Sequence, residues 1–423
     1  MLLSIPSVTR WCLLGVVISA AALPPRITFA KSVTESPSPS SRRERLRQLI
    51  GAVDSLQPAA SFQVLTNSAT QTNLAGTESF TVFAVRWPVF SGVTGEGLWL
   101  LPRRPATARV VAIPHADQSP EQLAGLAPGL VPERQFARRL AEHGCEVLVP
   151  ALIDCQDVPT PTPAAACSNV LSRREWLCRL GYPFGRHIIG LEVQKLLAGL
   201  NCFERSISGV SSAASASGAP PRLPIGLVGY ADGGQLAFFC AALDTRIDAV
   251  LLSGSFGLHQ RPWDEPVSRQ VFGLLPDFAD ASLATLIAPR AFIVEHSSVP
   301  NPQRLVNAGS PTSKNSPALL TPDFEFVEAE FDRARQLLQS TAPAGSERWQ
   351  LISGTEGMAT GPASDRALVA FLQALGVSIE ELHAPAKFPA DPRPSDVLAE
   401  RQNRQFKELA DFLQSLAHNP AAK

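Results

Sequence analysis

The sequence lacks several features that would assign it to a familiar class of protein. Its 37 lysines and arginines nearly balance 38 aspartates and glutamates, which leaves a net charge of −1. No overall electrostatic attraction to nucleic acid or to an anionic membrane surface is therefore expected. The chain also has no C-x-x-C pair, which excludes a zinc ribbon or a redox motif of that type, and it has no internal repeat.

Long apolar runs are scarce as well, and the one candidate lies near the N-terminus. Arg10 precedes the apolar run Trp11–Leu23, and small residues before Lys31 offer a cleavage site. A run this short suits the core of a signal peptide better than a membrane span, which needs about 20 residues. We therefore predict a signal peptide at 1–30, export to the periplasm or the medium, and no integral span after cleavage. An uncleaved membrane anchor is the alternative.

The cysteines fall into two groups. Cys155 and Cys167 bracket a loop rich in proline and alanine, and in an oxidising compartment they could form a disulfide. The remaining four cysteines after residue 30 lie in apolar strand or helix contexts, where a buried free thiol is the usual state. These four are Cys145, Cys178, Cys202 and Cys240.

Composition divides the mature chain into three parts. A linker and an N-terminal helix are predicted for 31–79, an α/β domain for 80–378, and a proline-rich linker followed by a polar amphipathic helix for 379–423. That last helix could pack on the body of the protein or meet a partner.

The central part begins with two extended runs, Phe80–Phe90 and Gly95–Arg103, which predict an antiparallel hairpin. Short strands then alternate with helices of 3.6-residue periodicity. Because these strands are apolar throughout, they are typical of a mostly parallel, doubly wound sheet covered by helices on both faces. The predicted strands are Ala108–Pro114, Cys145–Leu152, Ile225–Tyr230, Asp248–Gly254, Pro289–His296 and Glu347–Gly354.

Polar side chains follow five of these strands. In such sheets, ligands and catalytic groups gather at the carboxyl ends of the strands, so these side chains are the candidates for a site. They are His115 and Asp117, then Asp232, then Ser253 and Ser255, then Glu295 and His296, and finally Thr355 and Glu356.

One strand end has the frame of a nucleophile elbow. Residues Gly229–Gly234 read GYADGG, between a buried strand and a helix. Serine hydrolases present their nucleophile in this setting, in the pattern G-x-S-x-G. The serine position here holds Ala231, whose methyl group cannot attack a carbonyl.

The order of elements and this elbow frame resemble the α/β-hydrolase superfamily, and within it the branch of dienelactone hydrolases and acetyl xylan esterases. The resemblance covers about Phe80 to Gly376 and depends on the elbow (Ile225–Leu243), the segment Ala242–Gly254 and the helix Gly185–Leu197. It implies an α/β-hydrolase fold and hydrolysis of carboxylic esters, with a small-molecule or saccharide ester as the ligand.

The same resemblance implies a role for particular positions. The oxyanion donors would be the backbone N–H groups of Ala116 and Asp232, and the acid of the triad would be Glu295. The histidine should follow the last strand, where this sequence has Glu356 and no histidine. With Ala231 in place of serine, two of three triad members are missing. The chain is then either an ester hydrolase with reassigned residues or a non-catalytic protein that keeps the cleft.

Reassignment has candidates of its own. Asp232 could be the nucleophile if the elbow is shifted by one residue, or it could simply cap the helix that starts there. His296 could be a general base oriented by Glu295 or Glu356, or a hydrogen-bonded histidine at a strand end. We therefore predict Asp232, Glu295, His296 and Glu356 as the catalytic set.

Two further residues are candidates for substrate binding. Arg186 could clamp a substrate carboxylate, although a structural ion pair would explain it equally well, and His115 lies at a strand end. Several of the polar residues are also of types that bind divalent ions, but no local spacing such as H-x-x-x-H supports a metal site. We therefore predict no metal and no other cofactor. The residues of that alternative are His115, Asp117, Asp232, His296 and Glu356.

Overall fold

The computed structural model describes most of the chain after residue 37. The predicted signal peptide and Cys167 lie outside the described residues, so the signal peptide and the Cys155–Cys167 disulfide remain predictions. Within the described part, no helix is both long and apolar enough to cross a membrane. The described residues are 38–58, 60–65, 73–158, 171–205, 222–259, 262–300, 319–339, 343–379, 381–382, 389–394 and 396–418.

A ten-stranded mixed sheet forms the centre of the protein, with strand order β1-β3-β4-β6-β5-β9-β10-β11-β12 and β2 paired with β3. The β3–β4 hairpin joins β6 antiparallel, and every neighbour from β6 to β12 is parallel. The strands are β1 (Gln63–Val64), β2 (Ala75–Gly76), β3 (Phe80–Phe90), β4 (Val93–Pro102), β5 (Ala108–Ile113), β6 (Cys145–Pro150), β7 (Asp157–Val158), β8 (Leu171–Ser172), β9 (Ile225–Tyr230), β10 (Ala249–Ser253), β11 (Ala291–Glu295) and β12 (Trp349–Ile352).

Helices cover both faces of this sheet, and an apolar cluster lies on each side of it. Strands β6, β9, β10 and β11 lie between these two clusters. They are buried along their whole length, because both of their faces pack against apolar side chains. The helices are Pro39–Ile50, Pro120–Ala124, Phe136–Glu142, Arg173–Gly181, Ile188–Arg205, Asp232–Leu243, Leu274–Asp277, Asp280–Ala284, Phe324–Gln339, Asp365–Ala374 and Asp396–His418.

Most predicted elements are confirmed, with shifts of a few residues at their ends. The first hairpin strand is found as predicted, and the second is Val93–Pro102 rather than Gly95–Arg103. Ser364 caps the helix Asp365–Ala374 by accepting a hydrogen bond from the N–H of Ala367. The four cysteines predicted to be buried free thiols are buried and form no disulfide among the described residues.

The C-terminal helix (Asp396–His418) packs on the body of the protein. Phe412 contacts Phe90, with 4.5 Å between the ring centroids. Arg404 forms a two-point ion pair with Glu96, which lies on β4. Of the two alternatives left open by the sequence, the structure shows the first.

The protein has the α/β-hydrolase fold, as predicted. Strand β4 is antiparallel to its neighbours β3 and β6, and β9 is followed by a sharp turn and a helix. After β5 the chain adds β6 on one side of β5. It then crosses to the other side of β5, where β9, β10, β11 and β12 follow in order. The direction of strand order therefore reverses between β5 and β9. At such a switch point the loops after the two strands separate and leave a crevice, which is where ligands bind in open α/β sheets.

Candidate functional site

The turn after β9 has the backbone of a nucleophile elbow, although its tip is an alanine. Ala231 has φ 50° and ψ −109°, a conformation that a residue with a side chain rarely adopts. The turn closes only because glycine flanks it. A Cβ on Gly229 would lie 2.1 Å from the carbonyl oxygen of Gly233, and one on Gly233 would lie 2.3 Å from the carbonyl oxygens of Ile113 and Pro114. The elbow helix (Asp232–Leu243) therefore begins directly against the end of β5.

Two backbone N–H groups at this junction have no protein acceptor. The loop after β5 is a turn closed by a hydrogen bond from Gln118 N to His115 O at 2.9 Å, which leaves Ala116 at its second position. Among the described residues, the N–H groups of Ala116 and Asp232 donate no hydrogen bond to protein. Ala231 is fully buried and the other two residues are nearly so. Enclosed donors on two loops that meet at Gly233 are of the type that binds a carbonyl or carboxylate oxygen.

The carboxylate of Asp232 is fixed from two sides. Arg269 Nη1 donates to Oδ1 at 2.7 Å, and His115 Nδ1 lies 2.9 Å from Oδ2, although its N–H is poorly aligned with that oxygen. Burial alone would raise the pKa of Asp232, but His115 and Arg269 together hold that pKa well below its usual range. Asp232 is the acidic residue in the first turn of the helix, and within the described residues its side chain accepts no hydrogen bond from a backbone N–H of that turn.

The contact between His115 and Asp232 joins the two loops that carry these N–H groups. His115 directly precedes Ala116, and Asp232 provides the second N–H itself. Because both carboxylate oxygens of Asp232 are engaged, the carboxylate is poorly placed to attack a ligand. Its contacts instead hold the two donors in position.

A second buried ion pair lies close to this cluster. Arg174 donates to both carboxylate oxygens of Glu192 at 2.8 and 2.9 Å, and Glu192 also accepts from Ile153 N at 2.9 Å. The positive charge of Arg174 contributes to the lowered pKa of Asp232. Sequence reasoning missed Arg174, Glu192 and Arg269, since no local pattern marks them.

At the other end of the carboxyl edge, Glu295 is saturated with hydrogen bonds. Its carboxylate accepts from Ser253 Oγ at 2.6 Å, Thr360 Oγ1 at 2.9 Å, Ala363 N at 2.7 Å and Ser364 N at 2.9 Å. The side chain is buried. Through these hydrogen bonds Glu295 links the end of β10 to the residues just before the helix Asp365–Ala374.

Neither His296 nor Glu356 makes a hydrogen bond to the elbow within the described residues. His296 Nδ1 and Nε2 each lie 2.9 Å from a carbonyl oxygen, those of Gly357 and Pro322, so neither nitrogen is available to take a proton from a ligand. Glu356 is exposed, with φ 54°, and makes no hydrogen bond or ion pair within the described chain. The structure therefore brings His115, Asp117 and Asp232 together and gives His296 and Glu356 other surroundings.

Arg186 has a protein partner. Its guanidinium donates three hydrogen bonds to the carboxylate of Asp54, at 2.6 to 3.1 Å, and a fourth to Phe184 O. This is the structural pairing that the sequence left open beside substrate binding.

A cavity of about 230 Å³ lies next to the elbow helix, and its lining includes neither the elbow residues nor His115 and Ala116. Arg269 lines it and reaches Asp232, and Ser255 lines it with a buried hydroxyl that has no partner among the described residues. A mixed set of side chains forms the remaining wall, including Asp264, Phe256, Leu258, Val299, Leu319, Leu320 and Phe326.

His259 forms part of the same wall. Its ring nitrogens lie 2.9 Å from Glu265 and 3.2 Å from Asp280. The negative charge of Asp280 is the largest influence, and the two carboxylates raise the pKa of His259 to about 11. His259 is therefore a fixed cation and cannot accept a proton at neutral pH.

Comparison with known proteins gives fold neighbours. No protein-family model and no curated protein matches the chain. A methylesterase structure shares 15% identity at a TM-score of 0.47, with 88% of this chain and 76% of that one covered. A promiscuous CE15 esterase from a marine bacterial metagenome shares 11% (TM-score 0.46, 80% and 91% covered), and a glucuronoyl esterase from Solibacter usitatus shares 10% (TM-score 0.42, 80% and 91% covered). Similarity at this level carries no information about activity, so the site geometry has to support any proposal.

Proposed function

We propose that this chain binds the carbonyl group of a small ester at the elbow and forms no acyl-enzyme. One observation carries the proposal: Ala231 keeps the strained elbow conformation between two N–H groups that lack an acceptor. Enclosed N–H groups without a partner cost free energy. A ligand oxygen would satisfy them, and the contact between His115 and Asp232 keeps them in place for it.

The absence of serine chemistry is supported residue by residue. Ala231 has no nucleophilic atom, and Asp232 has one oxygen bound by the Arg269 guanidinium and the other facing the His115 ring. Glu295 and His296 are occupied by the hydrogen bonds that hold the β11–β12 end together. A covalent ester of the protein therefore has no residue to carry it at these positions.

The size of the cavity limits the ligand. At about 230 Å³ it is smaller than the 300–1,000 Å³ typical of sites for drug-sized molecules. Its walls combine apolar side chains with the paired charges of His259, Glu265 and Arg269. A short acyl or aryl ester, or one acylated sugar unit, fits this volume and this mixture better than a long chain does.

A non-hydrolysable ketone tests the binding. The compound 4-nitrophenylacetone has the shape of p-nitrophenyl acetate with a methylene group in place of the ester oxygen. We expect it to bind the purified protein, seen by saturation-transfer NMR, and to shift the amide resonances of Ala116 and Asp232. Ala116→Pro removes one donor at a turn position that proline tolerates, and should weaken binding at least fivefold, about 1 kcal/mol.

The exposed Glu356→Gln variant is the control and should bind like the wild type. A wild-type protein that fails to bind the ketone would contradict the proposal. So would a covalent adduct with a fluorophosphonate probe found by mass spectrometry, since that adduct needs a nucleophile.

Export is a second proposal, and it depends on the apolar run Trp11–Leu23 and the small residues before Lys31. We expect the protein expressed in a bacterial host to be recovered outside the cytoplasm with Lys31 as its first residue. N-terminal sequencing of the recovered protein measures this directly. An intact Met1 in the membrane fraction would favour the anchor alternative.

A further inference from the structure

His115 differs from the other interior histidines of the described chain in the state of its ring nitrogens. His296 has a carbonyl oxygen at each nitrogen, and His259 has a carboxylate at each. His187 accepts from Ile189 N and contacts Cys178 Sγ. The Nδ1 of His115 faces Asp232, whereas its Nε2 has no hydrogen bond within the described residues.

The surroundings of this ring are those of an oriented base. Asp232 is held by Arg269 at 2.7 Å, so the carboxylate at Nδ1 has a fixed position and stays ionised. The ring packs edge-on against Tyr230, with the centroids 6.3 Å apart. Asp117 Oδ2 lies 3.9 Å from Nε2, beyond hydrogen-bond distance. A carboxylate 2.9 Å from Nδ1 favours a proton on that nitrogen by its charge, even though the N–H is poorly aligned with it, and this leaves Nε2 as the nitrogen that can accept a proton.

We propose that His115, oriented by Asp232, is a general base that directs a water molecule at the bound ester carbonyl, so that hydrolysis proceeds without an acyl-enzyme. The proposal rests on the carbonyl-binding function above. It follows from position, because His115 directly precedes Ala116, whose N–H would hold the carbonyl oxygen. Since Ala231 has no hydroxyl group, water is the nucleophile.

The step balances with water as the only co-reactant. The water oxygen bonds to the carbonyl carbon while His115 Nε2 takes one water proton. The carbonyl electron pair moves to its oxygen, which the N–H groups of Ala116 and Asp232 hold. The tetrahedral intermediate then reforms the carbonyl and breaks the bond to the alcohol oxygen, which receives the proton from His115. The products are a carboxylic acid and an alcohol.

Hydrolysis of p-nitrophenyl acetate by the full chain tests the proposal, compared with His115→Gln and with the matched control His143→Gln. His143 lies at the end of the helix Phe136–Glu142, outside the proposed site. General bases contribute about 10²- to 10⁴-fold to a rate, so His115→Gln should lower kcat at least 100-fold. The affinity for 4-nitrophenylacetone should change much less. His143→Gln should keep the wild-type kcat, and thermal unfolding establishes that both variants fold.

Asp232 is a positioning residue in this scheme, and a kinetic readout distinguishes it from a structural role. Asp232→Asn should lower kcat and reduce the normal solvent deuterium isotope effect that proton transfer to His115 produces. A variant that is only less stable, assayed below its unfolding temperature, would keep that isotope effect.

The possible outcomes separate the two proposals. A wild-type protein that binds the ketone but turns over no faster than His115→Gln overturns the role of His115 and leaves carbonyl binding intact. A protein that does not bind the ketone overturns the proposed function itself. A burst of p-nitrophenol with a trapped acyl group overturns both. Turnover without a burst, lost in His115→Gln and kept in His143→Gln, supports both.

Discussion

The two ends of the carboxyl edge of the sheet use charged residues in opposite ways. At the β5–β9 end, His115 and Arg269 both contact Asp232, and two backbone N–H groups and one ring nitrogen have no hydrogen bond within the described part of the chain. At the β11–β12 end, Glu295 and His296 spend their polar atoms on backbone and hydroxyl groups. An ionisable residue at a strand end is therefore a candidate for chemistry only if its polar atoms remain available.

The hydrogen bonds at the β11–β12 end are also complete without a triad histidine. Glu295 accepts hydrogen bonds from Ala363 N and Ser364 N, the residues that begin the helix after β12. The carboxylate that the family resemblance assigns to the triad thus closes the structure at this end. The following predictions test the contrast between the two ends.

The largest expected effect is at the β11–β12 end. Glu295→Ala removes one acceptor from four donors, two of them backbone N–H groups. Each buried donor left without a partner costs about 1–3 kcal/mol, and water can reach some of them, so we expect a loss of about 4 kcal/mol in the free energy of unfolding. Urea denaturation measures it. A loss below about 1 kcal/mol would show that Glu295 is not essential to this end of the fold.

The next effect is at the elbow. Asp232→Asn leaves Arg269 buried without its charged partner, and we expect about 3 kcal/mol of destabilisation at neutral pH. The folded pKa of Asp232 is lowered, so its stabilisation is fully present above the unfolded pKa of about 3.9 and is lost as pH falls towards the folded value. Denaturation curves of both proteins should therefore converge only in strong acid. Convergence already near pH 5 would contradict the lowered pKa.

His259 gives a smaller effect with the opposite dependence on pH. We expect His259→Gln to cost about 2 kcal/mol near neutral pH, since it removes hydrogen bonds to Glu265 and Asp280. The folded pKa of His259 is raised to about 11, so the stabilisation is complete below the unfolded pKa of about 6.5 and declines as pH rises towards 11. The difference in unfolding free energy between wild type and variant should shrink between about pH 6 and 9. A difference in unfolding free energy that stays constant with pH would show that the pKa of His259 is not raised in the folded protein.

The smallest effect is expected at Glu356. This residue occupies the position of the absent triad histidine, is exposed, and has no partner within the described residues. Glu356→Gln should change the unfolding free energy by less than about 0.5 kcal/mol and leave ester turnover unchanged. A large fall in turnover would show that the β11–β12 end belongs to the candidate site. The two ends of the sheet would then not differ in the way described above.

Much of the fold was predictable because its signals are local. Apolar runs separated by helices of 3.6-residue periodicity predicted the mostly parallel sheet, and the strands β3 and β9 have the predicted bounds. The helix Phe324–Gln339 was missed, although its buried residues recur at helical spacing. The role of Arg186 could not be settled from sequence, because its partner Asp54 is 132 residues away.

The sequence by itself determined the elbow and what is missing from it. Gly229, Gly233 and Gly234 permit the close approach of strand, turn and helix, and Ala231 removes the nucleophile, whatever the rest of the chain does. Only the tertiary structure decided which residues surround that turn. Arg269 and His115 reach Asp232 from distant segments because the strand order reverses between β5 and β9. Charge pairing acts through space at a few ångströms, and no sequence spacing encodes it.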